Sequence, residues 1–414
     1  MNQKSVATNT GLGFIKTIKL LVAGILIGNF MFGCISTGAV NVATPISVNK
    51  TQEELTPGLN AILLTPIPTD TEIGQNDGSP EGTLIFACLY GIYQYDLKSK
   101  EFLTLINDET RIYSNIGVFG RKIYFLRTTD RIPQKSPSGG QFGPDDIFSM
   151  EMDGSHLEQV TTDEFYDFNL SVSSSTGKLI FVSDKPTGNA RRYKAVLLNP
   201  ENGEQKVIAE SNDQFFPIWS PDGNKVALFE SSLESGKTHR LFLFDVHQEK
   251  LTELIPGENI LSTKLAWSPN EQQVIVGIMI EGKPGLGLID VKTETISKIV
   301  QIDDEPRNFA WSVDGKLILF ETRNISNSAN PLAKLWLFDI ASEKTTALYE
   351  GDLDSRRFSY NAIWSPDSKY IAFFTNPGGV NLELNIQNIK TSDRSASEIS
   401  CTYADRVLWI TSPE

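Results

Sequence analysis

Residues 405–414 read DRVLWITSPE, an apolar run that reaches Trp409 and is followed by Thr411-Ser412-Pro413. Four earlier stretches share this phrase: PIWSPDG at 217–223, LAWSPNE at 265–271, FAWSVDG at 309–315 and AIWSPDS at 362–368. In each of those four a second apolar run follows the turn, whereas none follows Trp409.

The repeat period decides the architecture. Trp219, Trp267, Trp311, Trp364 and Trp409 are separated by 48, 44, 53 and 45 residues. Four short strands with their turns need about 40–45 residues, the period of a propeller blade. The first strand ends in Trp, and Ser-Pro-Asp-Gly supplies a tight turn. Pro sets φ, the Ser and Asp side chains bond back to local backbone, and Gly relaxes the exit. The third strand ends in Asp at Asp96, Asp245, Asp290 and Asp339. A carboxylate there can cap the next hairpin turn. Several third strands are apolar at successive positions, as expected of strands covered on both faces.

Weaker copies complete the count. FNLSVSSSTGKLIFVSD places Val172 in the Trp position, and IYSNIGVFGRKIYFLRT opens another unit at Ile112. The earliest unit, Gly82 to Ile106, has a second, third and fourth strand but no first. The run at 405–411 supplies it. The expected fold is an all-β, seven-bladed propeller of four-stranded blades, with units 83–108 plus 405–411, 111–163, 165–210, 215–258, 261–303, 305–352 and 356–400. A miscounted degenerate copy would make six or eight blades. Closure by the C-terminal strand removes the open sheet edges of a linear array.

The W-S-P-D-G repeat, written in full at Trp219 to Gly223, resembles the TolB-like propeller family over most of 83–414. The resemblance implies the fold and a periplasmic setting with protein partners. TolB carries an extra α/β domain before its propeller, and the irregular stretch here is too short for one, so the resemblance is to the propeller and not to TolB itself. The blades also resemble those of prolyl oligopeptidase-type enzymes, but no hydrolase domain is expected after them.

The N-terminal 33 residues differ from the rest. Lys4, Lys16 and Lys19 are their only charges, and a mostly apolar run, Leu20 to Phe32, leads to Gly33-Cys34. This pattern is that of a secretory signal. Cys34 after a small residue resembles a bacterial lipobox, although Met31 and Phe32 depart from its usual residues. The expectation is a lipoprotein signal at 1–33, lipidation at Cys34 and a flexible tether at 34–82 rich in Thr, Pro, Asn, Gly and Ser. The propeller at 83–414 would then sit in the bacterial cell envelope, extracytoplasmic and held to a membrane by its N-terminal lipid. An uncleaved transmembrane anchor is the alternative, since no charge falls between Leu20 and Asn49. The formal net charge of −14 and the lack of a basic stripe speak against nucleic acid.

Sites of chemistry are sparse. His156, His239 and His247 have no metal-ligand spacing, no G-x-S-x-G elbow occurs, and no Gly-rich loop opens a helix. No catalytic residue, cofactor or metal is expected, and the chain reads as non-enzymatic. Loops between second and third strands share one face with those entering each first strand, and Arg and aromatic residues gather there. Arg131, Tyr166, Phe168, Arg191, Arg192, Phe215, Arg307, Arg357 and Tyr360 form the candidate ligand-binding face. Such a face suits an envelope protein, a peptide or a glycan; the aromatics could equally pack the blade tops. A hydrolase or lyase acting on envelope polysaccharide is the second reading.

Alignment of the first blade on the fourth sets Cys88 opposite Ala404, leaving Cys401 three residues out of register. A Cys88–Cys401 disulfide therefore needs a bend before Asp405. Two buried thiols are the other outcome.

The tether is tested at its attachment point. Cys34→Ser is expected to release the propeller from the membrane fraction or to leave an uncut precursor, read by fractionation and intact mass.

Overall fold

The computed structural model describes residues 79–129, 145–185, 192–232, 239–256, 260–324, 332–352, 360–376 and 381–411. The signal and nearly all of the tether, including Cys34, lie outside these residues, as do Arg131, Arg191 and Arg357.

Among the described residues twenty-eight strands form seven four-stranded antiparallel sheets, and there is no helix. Blade one joins β28 (Ala404–Ile410) to β1 (Thr83–Cys88), β2 (Gly91–Asp96) and β3 (Phe102–Asn107). Each other blade runs outward in chain order. Their innermost strands are β4 (Tyr113–Phe119), β8 (Asp167–Val172), β12 (Gln214–Trp219), β16 (Ile260–Trp267), β20 (Glu305–Trp311) and β24 (Ile363–Trp364). These contact one another in sequence, and β24 meets β28, which in turn meets β4, so the ring closes. The seven-bladed reading and its closing strand are observed.

The turns form as their sequence dictates. In blade four the Ser220 hydroxyl donates to Asp222 (2.6 Å) and accepts from the Lys225 N–H (2.9 Å). Ser268 with Asn270, Ser312 with Asp314 and Ser365 with Asp367 repeat the first contact. The last turn residue is left-handed in all four copies: Gly223, Glu271, Gly315 and Ser368 have φ near 71°, 61°, 71° and 56°. Glycine adopts this freely, and Glu271 and Ser368 do so at a cost. A Cβ on Gly223 would also lie 2.6 Å from the Ser173 hydroxyl of the preceding blade. The third-strand Asp residues cap turns: Asp96, Asp245, Asp290 and Asp339 each accept two backbone N–H groups.

The core is divided among the blade interfaces. One cluster joins Leu84, Phe86 and Val407 of blade one to Phe374, Leu384 and Ile399 of blade seven. Another joins Ala227 and Phe229 of blade four to Trp267 and Val274 of blade five. Each sheet is thus buried on both faces, which explains the unbroken apolar runs.

The tryptophans tie neighbouring blades through hydrogen bonds. The indole N–H of Trp219 donates to the Ser171 carbonyl, Trp267 to Ile218, Trp311 to Ala266 and Trp364 to Ala310, all at 3.0–3.2 Å. Every acceptor stands one residue before the Trp position of the preceding blade. Trp409 departs from the pattern and donates to Glu81 at 2.9 Å.

Blade one carries a covalent clasp. Cys88 pairs opposite Ala404, and a bulge between Phe86 and Cys88 shifts the register. The chain bends back before β28, bringing Cys401 within 5.7 Å of Cys88 between Cα atoms, and the two are joined as a disulfide. Both residues are buried. The bridge links residues 313 apart, for which the chain-entropy treatment gives about 5–6 kcal/mol. Alkylating the denatured but unreduced protein is expected to label neither Cys88 nor Cys401. Mass spectrometry checks this, and two labelled thiols would mean the ring closes by packing and backbone bonds alone.

Candidate functional site: the axial channel

The inner strands surround an axial channel of about 640 Å³. One position faces it from every blade, three residues before the Trp register: Arg406, Asn115, Asn169, Phe216, Lys264, Asn308 and Asn361, in blades one to seven. Four of the seven are Asn, and all four are left-handed, with φ between 46° and 53°. Asn tolerates this conformation better than most residues. The pairing register also shifts across Asn115, Asn169 and Asn308, so these residues sit at bulges.

The Asn residues bind the blades together. Asn169 donates its amide to the Phe215 carbonyl of blade four (2.7 Å), and Asn361 to the Ala404 carbonyl of blade one (2.8 Å). Asn115 directs both its backbone N–H (2.7 Å) and its side-chain amide (3.1 Å) to Asp405 of blade one. Glu321, on β21 (Leu317–Asn324), is only 1% exposed. Its carboxylate accepts from the Asn308 side chain and the Asn361 N–H, both at 2.9 Å.

Lys264 and Arg406 reach solvent inside the channel while protein surrounds them. Loss of bulk water pushes the pKa of each below its usual value, and nearby Asp405 acts in the opposite sense. Lys264 also feels Arg406, Glu321 and Arg307, so these groups form one electrostatic cluster.

The candidate face divides. Phe215 and Tyr360 are each 2% exposed, and Tyr166 is also buried. Phe215 packs between blades three and four, Tyr360 donates its hydroxyl to the Ala333 carbonyl (2.8 Å), and Tyr166 stacks on half-buried Phe168. Phe215 and Tyr360 thus spend their apolar area in the clusters between blades, and Tyr166 is buried beside Phe168. Arg192 is exposed and lies 3.5 Å from Glu210 on the outermost strand of its blade. Arg307 is half-buried beside the channel cluster.

The histidines do not converge. His156 and His247 are exposed on turns of blades two and four, and the His239 ring packs at a tilt against Phe229. Among the described residues no three His, Cys, Asp or Glu converge to hold a metal ion.

The channel ring escaped the sequence reading, which weighed aromatics and arginines instead. Its signal was present: aligned on the Trp position, SNIGV, FNLSV, NFAW and NAIW each carry Asn three residues earlier.

The chain matches no family model and no curated protein. Solved structures of similar fold include an oligogalacturonate lyase in complex with manganese, at 14% identity over 75% of this chain and 87% of that one, with a TM-score of 0.57. A functionally unknown protein from Desulfotomaculum acetoxidans aligns at 14% identity over 80% and 99% of the two chains, with a TM-score of 0.52. TolB from Acinetobacter baumannii aligns at 15% identity over 79% and 82%, with a TM-score of 0.47. At these identities the likeness is one of fold.

Glu321→Gln replaces one acceptor oxygen by a donor facing Asn308 or Asn361. A buried donor left without its partner costs about 1–3 kcal/mol. The variant is expected to unfold at lower denaturant concentration by that amount with an unchanged slope.

Proposed function

We propose that this chain is a membrane-tethered, extracytoplasmic binding module, held by a lipid on Cys34 and engaging an envelope protein, peptide or glycan at the channel-mouth face of the propeller. One observation carries the binding reading: the carboxylates of Asp405, which lines the channel, and of buried Glu321 are occupied as acceptors for Asn donors. A general acid or base must reach the proton it moves. Carboxylates engaged in holding blades together are poorly placed for that, while cations and amides around an open channel suit recognition. The tether reading rests on the basic, apolar N-terminus ending in Gly33-Cys34 and on the irregular stretch that follows.

Affinity capture from native membranes with the lipidated chain tests this reading. A discrete, reproducible partner is expected. Substituting Arg191 and Arg192 together by Ala is expected to weaken capture with little loss of stability, because an exposed pair such as Arg192–Glu210 contributes about 0–1 kcal/mol. Turnover of an envelope polysaccharide by the purified protein would instead favour the hydrolase or lyase reading.

A further inference from the structure

Turns of neighbouring blades touch one another along one rim of the ring. The Ser175 hydroxyl of blade three donates to the Pro221 carbonyl of blade four (2.8 Å), and the Val313 N–H of blade six donates to the Ser368 hydroxyl of blade seven (2.8 Å). A Cβ on Gly315 of blade six would stand 3.8 Å from Pro269 of blade five. These three contacts are neutral. Ser220 and Pro221 also line the channel, so the turns form part of its mouth.

The contact between blades four and five is different. Glu271 closes the turn of blade five at the left-handed position that Ser368 holds in blade seven. Trp267, at the head of that turn, donates to the Ile218 carbonyl and holds the turn against blade four. Where Ser368 offers a hydroxyl to the preceding blade, half-buried Glu271 offers a carboxyl, which hydrogen-bonds to the Asp222 side chain. Two carboxyl groups can share such a bond only if one of them holds a proton. Asp222 is the ionised partner. Its Oδ1 accepts from the Ser220 hydroxyl (2.6 Å) and the Asn224 N–H (2.9 Å), and its Oδ2 accepts from the Asn224 amide (2.6 Å). Three donors aimed at one carboxyl favour its anion, so the shared proton resides on Glu271.

The surroundings act in the same direction. Burial raises the Glu271 pKa, and the hydrogen bond and charge of Asp222 raise it further, to about 7, while the Asp222 N–H and Lys225 oppose the shift. Burial also works against the Asp222 anion, but its hydrogen-bond donors outweigh this and hold its pKa at about 2. Asp222 and Lys225 face Glu271 from blade four, and blade six meets this turn through uncharged Gly315. Exposed His247 joins the network at one remove, with its Nε2 2.8 Å from the Asn224 Oδ1.

We infer that Asp222 and Glu271 form a proton-operated clasp between blades four and five at the mouth of the channel. With its proton, Glu271 donates to Asp222 and the seam is closed. Without it, two anions face each other across the seam and loosen it. The folded chain holds this proton more tightly than the unfolded chain, in which the Glu271 pKa returns to 4.5. The stability that Glu271 contributes is therefore full below 4.5 and is lost as pH rises through about 7. Asp222 contributes in the opposite sense, and its share is lost only below its ordinary value of 3.8. The clasp thus opens across the neutral range.

The test compares the full chain in detergent with Glu271→Gln, whose amide can donate to Asp222 at every pH. Urea denaturation midpoints are measured near pH 5 and near pH 8, and titrating groups elsewhere affect both proteins alike. Equal midpoints are expected near pH 5 and a higher midpoint for the variant near pH 8. Hydrogen exchange read by mass spectrometry, corrected for the intrinsic pH dependence of amide exchange, is expected to show residues 268–273 of the unaltered chain less protected near pH 8 than near pH 5. A midpoint difference that does not grow with pH overturns the inference, as does protection of 268–273 that does not change with pH. Should the variant fail to fold, the exchange contrast on the unaltered chain decides.

Discussion

Each inner-strand tryptophan reaches across to the blade before it, and the ring depends on that contact. A single four-stranded sheet of this chain has no core of its own. Its two apolar faces are buried only when a neighbour lies on either side. Four indole N–H groups, on Trp219, Trp267, Trp311 and Trp364, each find the carbonyl one residue before the preceding Trp position. This fixes not only that the blades touch but how far one is displaced along the axis relative to the next. Each bond adds only about 0.5–1.5 kcal/mol, yet the geometric constraint repeats around the ring.

The seam in blade one is solved differently. Trp409 turns its indole to Glu81 rather than to blade seven. Closure there is carried by the pairing of β28 with β1, by the core shared with blade seven and by the Cys88–Cys401 bridge. The seam joins strands from opposite ends of the folded chain, so it bears the largest loop-closure entropy in the molecule. A covalent link is most effective at such a point.

Around the axis, polar groups divide between those bonded into neighbouring protein and those that carry charge to the channel. Asn115, Asn169, Asn308 and Asn361 bond into neighbouring protein, and Asp405 and Glu321 are their acceptors or those of their neighbours. Lys264 and Arg406 occupy the same ring where Asn is replaced. The departures from the Asn pattern, rather than the pattern itself, give the channel its charge. The Asn rule is broken at three blades, by Phe216, Lys264 and Arg406, and such breaks tend to mark function.

The spacing of five tryptophans, the turn chemistry after them and the weaker upstream copies pointed to the strand order, to seven blades with six or eight left open, and to the closing strand. These follow from local rules: a tight turn needs Pro, Asp and Gly at set places, and a strand buried on both faces must be apolar throughout. The Asp turn caps were legible for the same reason. What lay beyond such rules was decided in three dimensions. Whether Phe215 and Tyr360 faced a ligand or a neighbouring blade depended on the packing of another sheet against them. Whether Cys401 could reach Cys88 depended on a bulge and a bend that no residue spacing specifies. The meeting of Lys264, Arg307, Glu321, Asp405 and Arg406 required that residues up to 142 positions apart converge on one axis. Periodicity records what each strand must bury, but the charge of a shared axial channel is a sum over blades and exists only once the ring has closed.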